Sequence, residues 1–214
     1  MPGSDITIDA SFERIESDEP TDPVTGCDKD EECPLHSFTD IKKDDPYHDA
    51  LHYCVIYGII HGYPDGTLLP EGNITRAEVI AILWRLDGAK KTDLVTSFED
   101  ARGDWYTDAV SWAESIGIAK GHEDGRFDPH GSVTREQLSA FFYRYEVYSN
   151  GVPTLDGSVL SSFADGSDHN EYAYESLAWA TKNGIIRGRS NGLIDAKGTA
   201  TRAEAAQMIY NYVK

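Results

Sequence analysis

Apolar residues recur at i, i+3, i+4 and i+7 in three separate stretches: Val79, Ile82, Leu83, Leu86; Leu138, Phe141, Phe142, Tyr145; and Ala205, Met208, Ile209, Tyr212. This spacing puts four side chains on one face of a helix, so each stretch predicts an amphipathic helix. Each has a start signal: Thr75-Arg76-Ala77-Glu78, Thr134-Arg135-Glu136-Gln137 and Thr201-Arg202-Ala203-Glu204. The Thr is the N-cap, and the Glu or Gln three residues on closes a capping box. Ile74 with Val79, Val133 with Leu138 and Ala200 with Ala205 are placed as hydrophobic staples across these starts.

A second helical pattern lies upstream of each start and runs to Gly58-Ile59, Gly117-Ile118 or Gly184-Ile185. Five positions before the Gly stands an aromatic (Tyr53, Trp112, Trp179) and four before it a small residue (Cys54, Ala113, Ala180), a repeated packing slot. The Gly suits a left-handed helix stop. A turn follows at Asp65-Gly66, Asp124-Gly125 and Asn191-Gly192, and the Thr-Arg pair always comes seventeen positions after the Gly. Each block opens with Phe38-Thr39-Asp40, Phe98-Glu99-Asp100 or Phe163-Ala164-Asp165.

The chain is thus three copies of one unit, at 38–97, 98–162 and 163–214, behind a segment 1–37. A pair of short helices cannot bury its stripe alone. The expected fold is all-α: three helix-loop-helix repeats in a pseudo-threefold, three-pronged spindle, the stripes packed on one another and the loops and helix starts in symmetry-related clefts.

Charge changes the picture in two ways. With 19 Lys+Arg against 37 Asp+Glu, the 214-residue chain has a formal net charge of −18. A face basic enough for nucleic acid is missing, and anionic membranes are disfavoured equally. Half of the excess falls in residues 1–37, where eleven acids face only Arg14 and Lys29. That stretch reads as an acidic linker, too polar to offset its ordering entropy, with the folded part starting near Phe38. No apolar run is long enough to span a bilayer. Met1-Pro2-Gly3-Ser4 has no basic or apolar leader character, so the chain reads as a piece of something longer, with those four residues an expression scar.

The caps, stops and aromatics have structural explanations, and Asp40, Asp100 and Asp165 are explained as caps of the first helices. The arginines are not. Arg76, Arg135 and Arg202 each stand at the first helical position, where a cation faces the positive end of the helix dipole. Finding this three times implies that each meets an anion. Two readings stand: an internal salt bridge to a loop carboxylate such as Asp65 or Asp124, or an external anion held by the guanidinium together with free N–H groups of the helix start.

In order and spacing, Phe-x-Asp, Trp/Tyr-x-x-Ala, Gly-Ile-x-x-Gly, Asp-Gly-x-Phe-x-Pro and Thr-Arg-Ala-Glu resemble three tandem S-layer homology motifs, over about residues 38–214. The resemblance implies a pseudo-trimeric all-α module that anchors exported proteins noncovalently to the cell wall. Its ligand would be secondary cell-wall polysaccharide with acidic sugars, often pyruvate ketals on N-acetylmannosamine, bound between neighbouring motifs. It carries ligand binding onto Arg76, Arg135 and Arg202, and less directly onto Asp40, Asp100, Asp165 and the loop glycines Gly66, Gly125 and Gly192. It places the chain outside the cell, at the surface and wall, as a monomer without cofactor. Tyr63, Trp105 and Tyr106 are candidates to stack on sugar faces. Two departures bear on the sites: Glu136 adds an acid beside Arg135, and repeat three reads Arg189-Ser190-Asn191-Gly192-Leu193-Ile194-Asp195-Ala196 in place of the usual loop.

Other chemistry is thinly represented. Cys54 fills a packing slot, while Cys27 and Cys33 are spaced for a small-loop disulfide in an exported protein. His48 and His52, four apart, lack a third ligand and read as surface residues, so no metal site is expected. No Gly-x-Ser-x-Gly, P-loop, His-Glu-x-x-His or Gly-x-Gly-x-x-Gly occurs, and residues that recur in every unit suit binding, not catalysis. The two function readings are a wall-glycan anchor and a structural or protein-interaction triplet with internally paired arginines. Under the first, Arg76 is a surface site whose change to Ala should cost stability no more than about 1 kcal/mol.

Overall fold

A computed structural model describes residues 33–214. Six α-helices run in chain order: α1 His48–Ile56, α2 Arg76–Leu86, α3 Thr107–Ser115, α4 Arg135–Asn150, α5 Tyr174–Lys182 and α6 Arg202–Val213. Among the described residues there is no sheet, only three isolated bridges, so the fold is all-α as expected.

The second helices α2, α4 and α6 all begin with a complete capping box, Thr side chain to N3 amide and N3 side chain back to the Thr amide. The first helices stop as their glycines predict, with positive φ at Gly58, Gly117 and Gly184. The small residue's carbonyl then takes the amides beyond the stop, for example Ala113 O from Ile118 and Ala119 at 2.8 and 3.0 Å. A smaller slot explains the other repeated glycine: a Cβ on Gly62, Gly121 or Gly188 would stand 2.2–2.4 Å from the ring of Phe38, Phe98 or Phe163. The Phe that opens each repeat is seated on that bare backbone.

The axis of the molecule is made of main chain. The residues before each second helix bond in a closed ring: Ile74 N to Ala200 O at 3.0 Å, Ala200 N to Val133 O at 2.9 Å and Val133 N to Ile74 O at 3.0 Å. Bridges Thr75–Ser132, Thr134–Thr199 and Asn73–Thr201 reinforce it. Ile74, Val133 and Ala200 are fully buried.

Around this ring, the helices pair across repeats. α3 packs on α2, α5 on α4, and α1 returns to pack on α6. The stripes therefore meet mainly the first helix of the following repeat, whereas the sequence suggested that they meet chiefly one another. Packing also starts earlier than Phe38: the 3-10 turn Pro34–Ser37 lies against α1, and Cys33 and Leu35 are buried in the core. The disulfide suggested for Cys27 and Cys33 involves Cys27, which lies outside the described residues.

Candidate functional site

Each Thr-Arg arginine reaches out of its own repeat into the loop of the next. Arg76 donates from Nε to Phe127 O at 2.7 Å and from Nη2 to Lys120 O at 3.0 Å. Arg135 does the same to Ile194 O at 3.0 Å and Arg187 O at 2.7 Å. Arg202 closes the cycle on Leu68 O at 2.7 Å and His61 O at 2.9 Å. The three residues are only 7, 5 and 4% exposed. Burial draws the pKa of Arg76 and of Arg135 down, opposed by Asp128 and Glu204 respectively, but a guanidinium stays charged in a protein.

This geometry corrects three expectations. The arginines are not surface side chains. The helix-start amides are not free: Arg76 N and Ala77 N donate to Gly131 O and Pro129 O, and Arg135, Glu136, Arg202 and Ala203 repeat the pattern on Gly198, Ala196, Gly72 and Pro70. The internal carboxylate partners are not Asp65 or Asp124. Asp65 holds Thr67, and Asp124 faces Arg126 at 3.4 Å. Arg202 instead pairs with Glu78 at 2.7 Å and Arg135 with Glu204 at 3.0 Å, the capping-box acids of the next repeat.

The opening aspartates act on the same loops from the other side. Asp40 accepts from the amides of Leu68 and Leu69, Asp100 from Phe127 and Asp128, and Asp165 from Ile194 and Asp195, all at 2.7–3.0 Å. Leu69, Asp128 and Asp195 have φ of +49, +56 and +51°, a costly conformation that the paired bonds hold. They do not cap the first helices. Their grip aims the carbonyls of Leu68, Phe127 and Ile194 at the arginines. Burial works against ionisation of Asp100 and Asp165, and the backbone bonds outweigh it, holding both pKa values below the usual range. Gly66, Gly125 and Gly192 sit at positive φ in the turn, their amides bonded to Tyr63, His122 and Arg189, and are outside the linings of the three hollows in front of the arginines.

In front of each arginine lies an open hollow of about 300 Å³. Groove 1 is lined by Arg202, the His61–Pro64 loop, Glu78 and Arg85, with Trp105 supplied by repeat two. Groove 2 contains Arg76, Lys120, His122, Gln137 and Arg144, with Tyr172 from repeat three. Groove 3 contains Arg135, Arg187, Arg189, Glu204 and Asn211. Arg85, Arg144 and Asn211, not singled out from the sequence, each stand nine residues beyond a Thr-Arg arginine and donate to Ile59 O, Ile118 O and Ile185 O. Twelve positions before the helix-stop Gly, Trp105 and Tyr172 are matched in repeat one by Pro46, which does not line groove 3.

Of the stacking candidates, Trp105 is 57% exposed at groove 1, and Tyr63 lies under Arg202, its ring centroid 4.7 Å from the guanidinium carbon. Burial and its bond to Glu78 push the Tyr63 pKa up to about 12, so its hydroxyl remains a donor. Tyr106 is core and is no groove residue. Glu136 turns away from Arg135 and accepts from Asn170 N at 3.0 Å and Tyr172 Oη at 3.1 Å. His48 and His52 are buried, not surface, with ring centroids 6.1 Å apart. No cluster of three or more metal-ligating side chains occurs among the described residues. Cys54 is a buried thiol whose pKa burial raises. Among the described residues, no helix is long and apolar enough to cross a membrane.

The model of the S-layer homology domain matches the chain three times, at 37–80, 97–139 and 162–206. An amylopullulanase of Thermoanaerobacterium thermosulfurigenes is 34% identical over 83% of this chain and 10% of its own length. Exoglucanase XynX of Acetivibrio thermocellus is 34% identical over 83% of the chain and 16% of its own. An S-layer protein of Bacillus thuringiensis subsp. finitimus is 29% identical over 81% and 21%. The chain thus spans from a tenth to about a fifth of these relatives. With a match on every repeat and S-layer proteins among its relatives, the chain belongs to the S-layer homology family, a family of the cell surface and wall.

Proposed function

We propose that the chain is a noncovalent cell-wall anchor whose inter-repeat grooves bind acidic sugars of secondary cell-wall polysaccharide, pyruvate-ketal carboxylates foremost. The observation that carries this reading is the threefold recurrence of a guanidinium fixed from behind by two loop carbonyls and opening on a hollow. A preorganised Arg loses little freedom on binding and offers a carboxylate charge-assisted bonds. Trp105 and Tyr172 at the mouths of grooves 1 and 2 add apolar faces for a sugar ring. Recurrence in every unit supports binding over catalysis, so the module is read as an anchor, not an enzyme, in need of no cofactor. The threefold symmetry is satisfied within one chain, so it acts as a monomer.

Net charge works against an anionic polymer at long range, but screening confines that repulsion to about 8 Å at physiological salt. Binding then rests on local pockets, and several sites on one chain facing a repeating polymer gain through effective concentration. The ion pairs of Arg202 with Glu78 and Arg135 with Glu204 favour a second reading, a structural triplet with self-satisfied arginines. Pull-down of the protein by purified wall polysaccharide, before and after chemical removal of pyruvate, separates the two. The anchor reading expects retention that falls on depyruvylation. Absence of retention on both preparations establishes the structural reading in its place.

A further inference from the structure

The three grooves differ in the charge of the residue that closes each capping box. In groove 1 that residue is Glu78, whose Oε1 accepts from Arg202 Nη1 at 2.7 Å and from the Tyr63 hydroxyl. In groove 3 it is Glu204, which takes Arg135 at 3.0 Å and Arg189 at 2.8 Å. Both grooves therefore already contain a carboxylate, bonded to Nη1 of the arginine and part of the lining. In groove 2 the residue is Gln137. Its amide oxygen keeps the cap, accepting from Thr134 N at 3.0 Å, but brings no charge.

Arg76 accordingly makes no ion pair among the described residues and spends Nε and one Nη2 proton on Phe127 O and Lys120 O. A guanidinium has five N–H donors, so three remain on its Nη1/Nη2 side. The lining of groove 2 adds Arg144 and Lys120 and holds no acid. The nearby carboxylates are occupied: Glu136 by Asn170 and Tyr172, and Asp100 by the Phe127 and Asp128 amides. Asp128, which also acts on Arg76, lies outside the lining.

We infer that the box residue of each repeat is an internal competitor for its groove's anion, and that groove 2, where this residue is Gln137, is the primary site for a carboxylate-bearing sugar. This rests on the anchor reading and assigns its sites an order. An anion entering groove 1 or 3 must displace Glu78 or Glu204 or lie beside it, a like-charge contact. One entering groove 2 meets three cationic side chains and no carboxylate in the lining.

Gln137→Glu tests this with little risk to folding, because it writes into repeat two the box that α2 and α6 already use. The probe is N-acetylmannosamine carrying a pyruvate ketal, titrated calorimetrically into the whole chain, with the pyruvate-free sugar as control. Wild type should bind one equivalent tightly and only the pyruvylated form. Gln137→Glu should weaken that binding about tenfold or more with the melting temperature held. Glu78→Gln, which keeps the cap, should add a second site of similar affinity at groove 1. Unchanged affinity in Gln137→Glu, or loss of the tight site in Glu78→Gln, overturns the order while the anchor reading stands. Wild type that binds neither sugar, and fails the polysaccharide pull-down, overturns both.

Discussion

An arginine at the first turn of a helix gives up a few tenths of a kcal/mol against the helix dipole, and three such residues in one chain need a larger return. The structure supplies it as two bonds per arginine to carbonyls of the next repeat, with Arg76 also 4.7 Å from the centre of the Phe127 ring. Truncation leaves the buried Phe127 carbonyl without that donor, while the carbonyl of exposed Lys120 at the groove can take water in its place. At about 1–3 kcal/mol for one buried unsatisfied group, with about 0.5–1 kcal/mol more for the lost contact with the Phe127 ring, Arg76→Ala should cost about 1.5–4 kcal/mol in a urea titration, not the small loss of a surface site. A midpoint within error of wild type would show that these bonds carry little net energy. His52 acts at the same scale through pH. Burial and the neighbouring His48 lower its pKa, against a smaller opposing effect of Asp49. The unfolded chain then binds the proton more readily, so stability is complete above about pH 6.5 and falls as pH drops through that value. The lowered pKa values of Asp100, Glu114 and Asp165 have the same sign but act only below about pH 5. Melting temperatures between pH 7 and 5 should decline, and His52→Asn should flatten part of that decline, with lowered His61 accounting for a remainder. An unaltered slope in the variant would place the effect elsewhere.

At the level of elements, legibility followed sequence distance. The capping boxes and helix stops were readable because each is a side chain meeting backbone a few residues away, and all three boxes formed as written. The work of Asp40, Asp100 and Asp165 was not, because their partners lie 27–30 residues downstream, so a helix cap was the nearest local explanation. For the same reason the arginines pointed to an anion, whereas each is held first by two neutral carbonyls of the next repeat. Arg202 finds Leu68 across 134 residues, and carbonyls joined by box glutamates in two grooves replace the loop aspartates that proximity suggested. Arg85 and Arg144 did carry a signal, a fixed offset of nine from the Thr-Arg arginines, masked because Asn211 breaks the identity in the third copy. Helix pairing lay further out of reach. An apolar stripe says that a face is covered, and nothing in its period tells a partner in the same repeat from one in the next.

For the whole molecule that pairing rule has a consequence that separates this fold from an open array of repeats. In an array each unit leans on its neighbours and the ends can be trimmed. Here α1 is covered by α6, the last helix, and the axial bonds run Ile74 to Ala200 to Val133 and back to Ile74, so no repeat is terminal. Removing repeat three takes α6 from α1 and α5 from α4, and breaks two of the three axial bonds, leaving only Val133 N to Ile74 O. It also exposes the apolar faces that contain Leu51 and Phe142, both fully buried in the intact chain. A chain ending at residue 162 should therefore lack the cooperative transition of the intact protein, which should melt in one step with equal calorimetric and van't Hoff enthalpies. Near-ultraviolet circular dichroism, rich in signal from the packed Trp and Tyr rings, reads the difference directly. A truncated chain that keeps this signal and melts cooperatively would show that two repeats suffice, and that ring closure organises the grooves without being required for the fold.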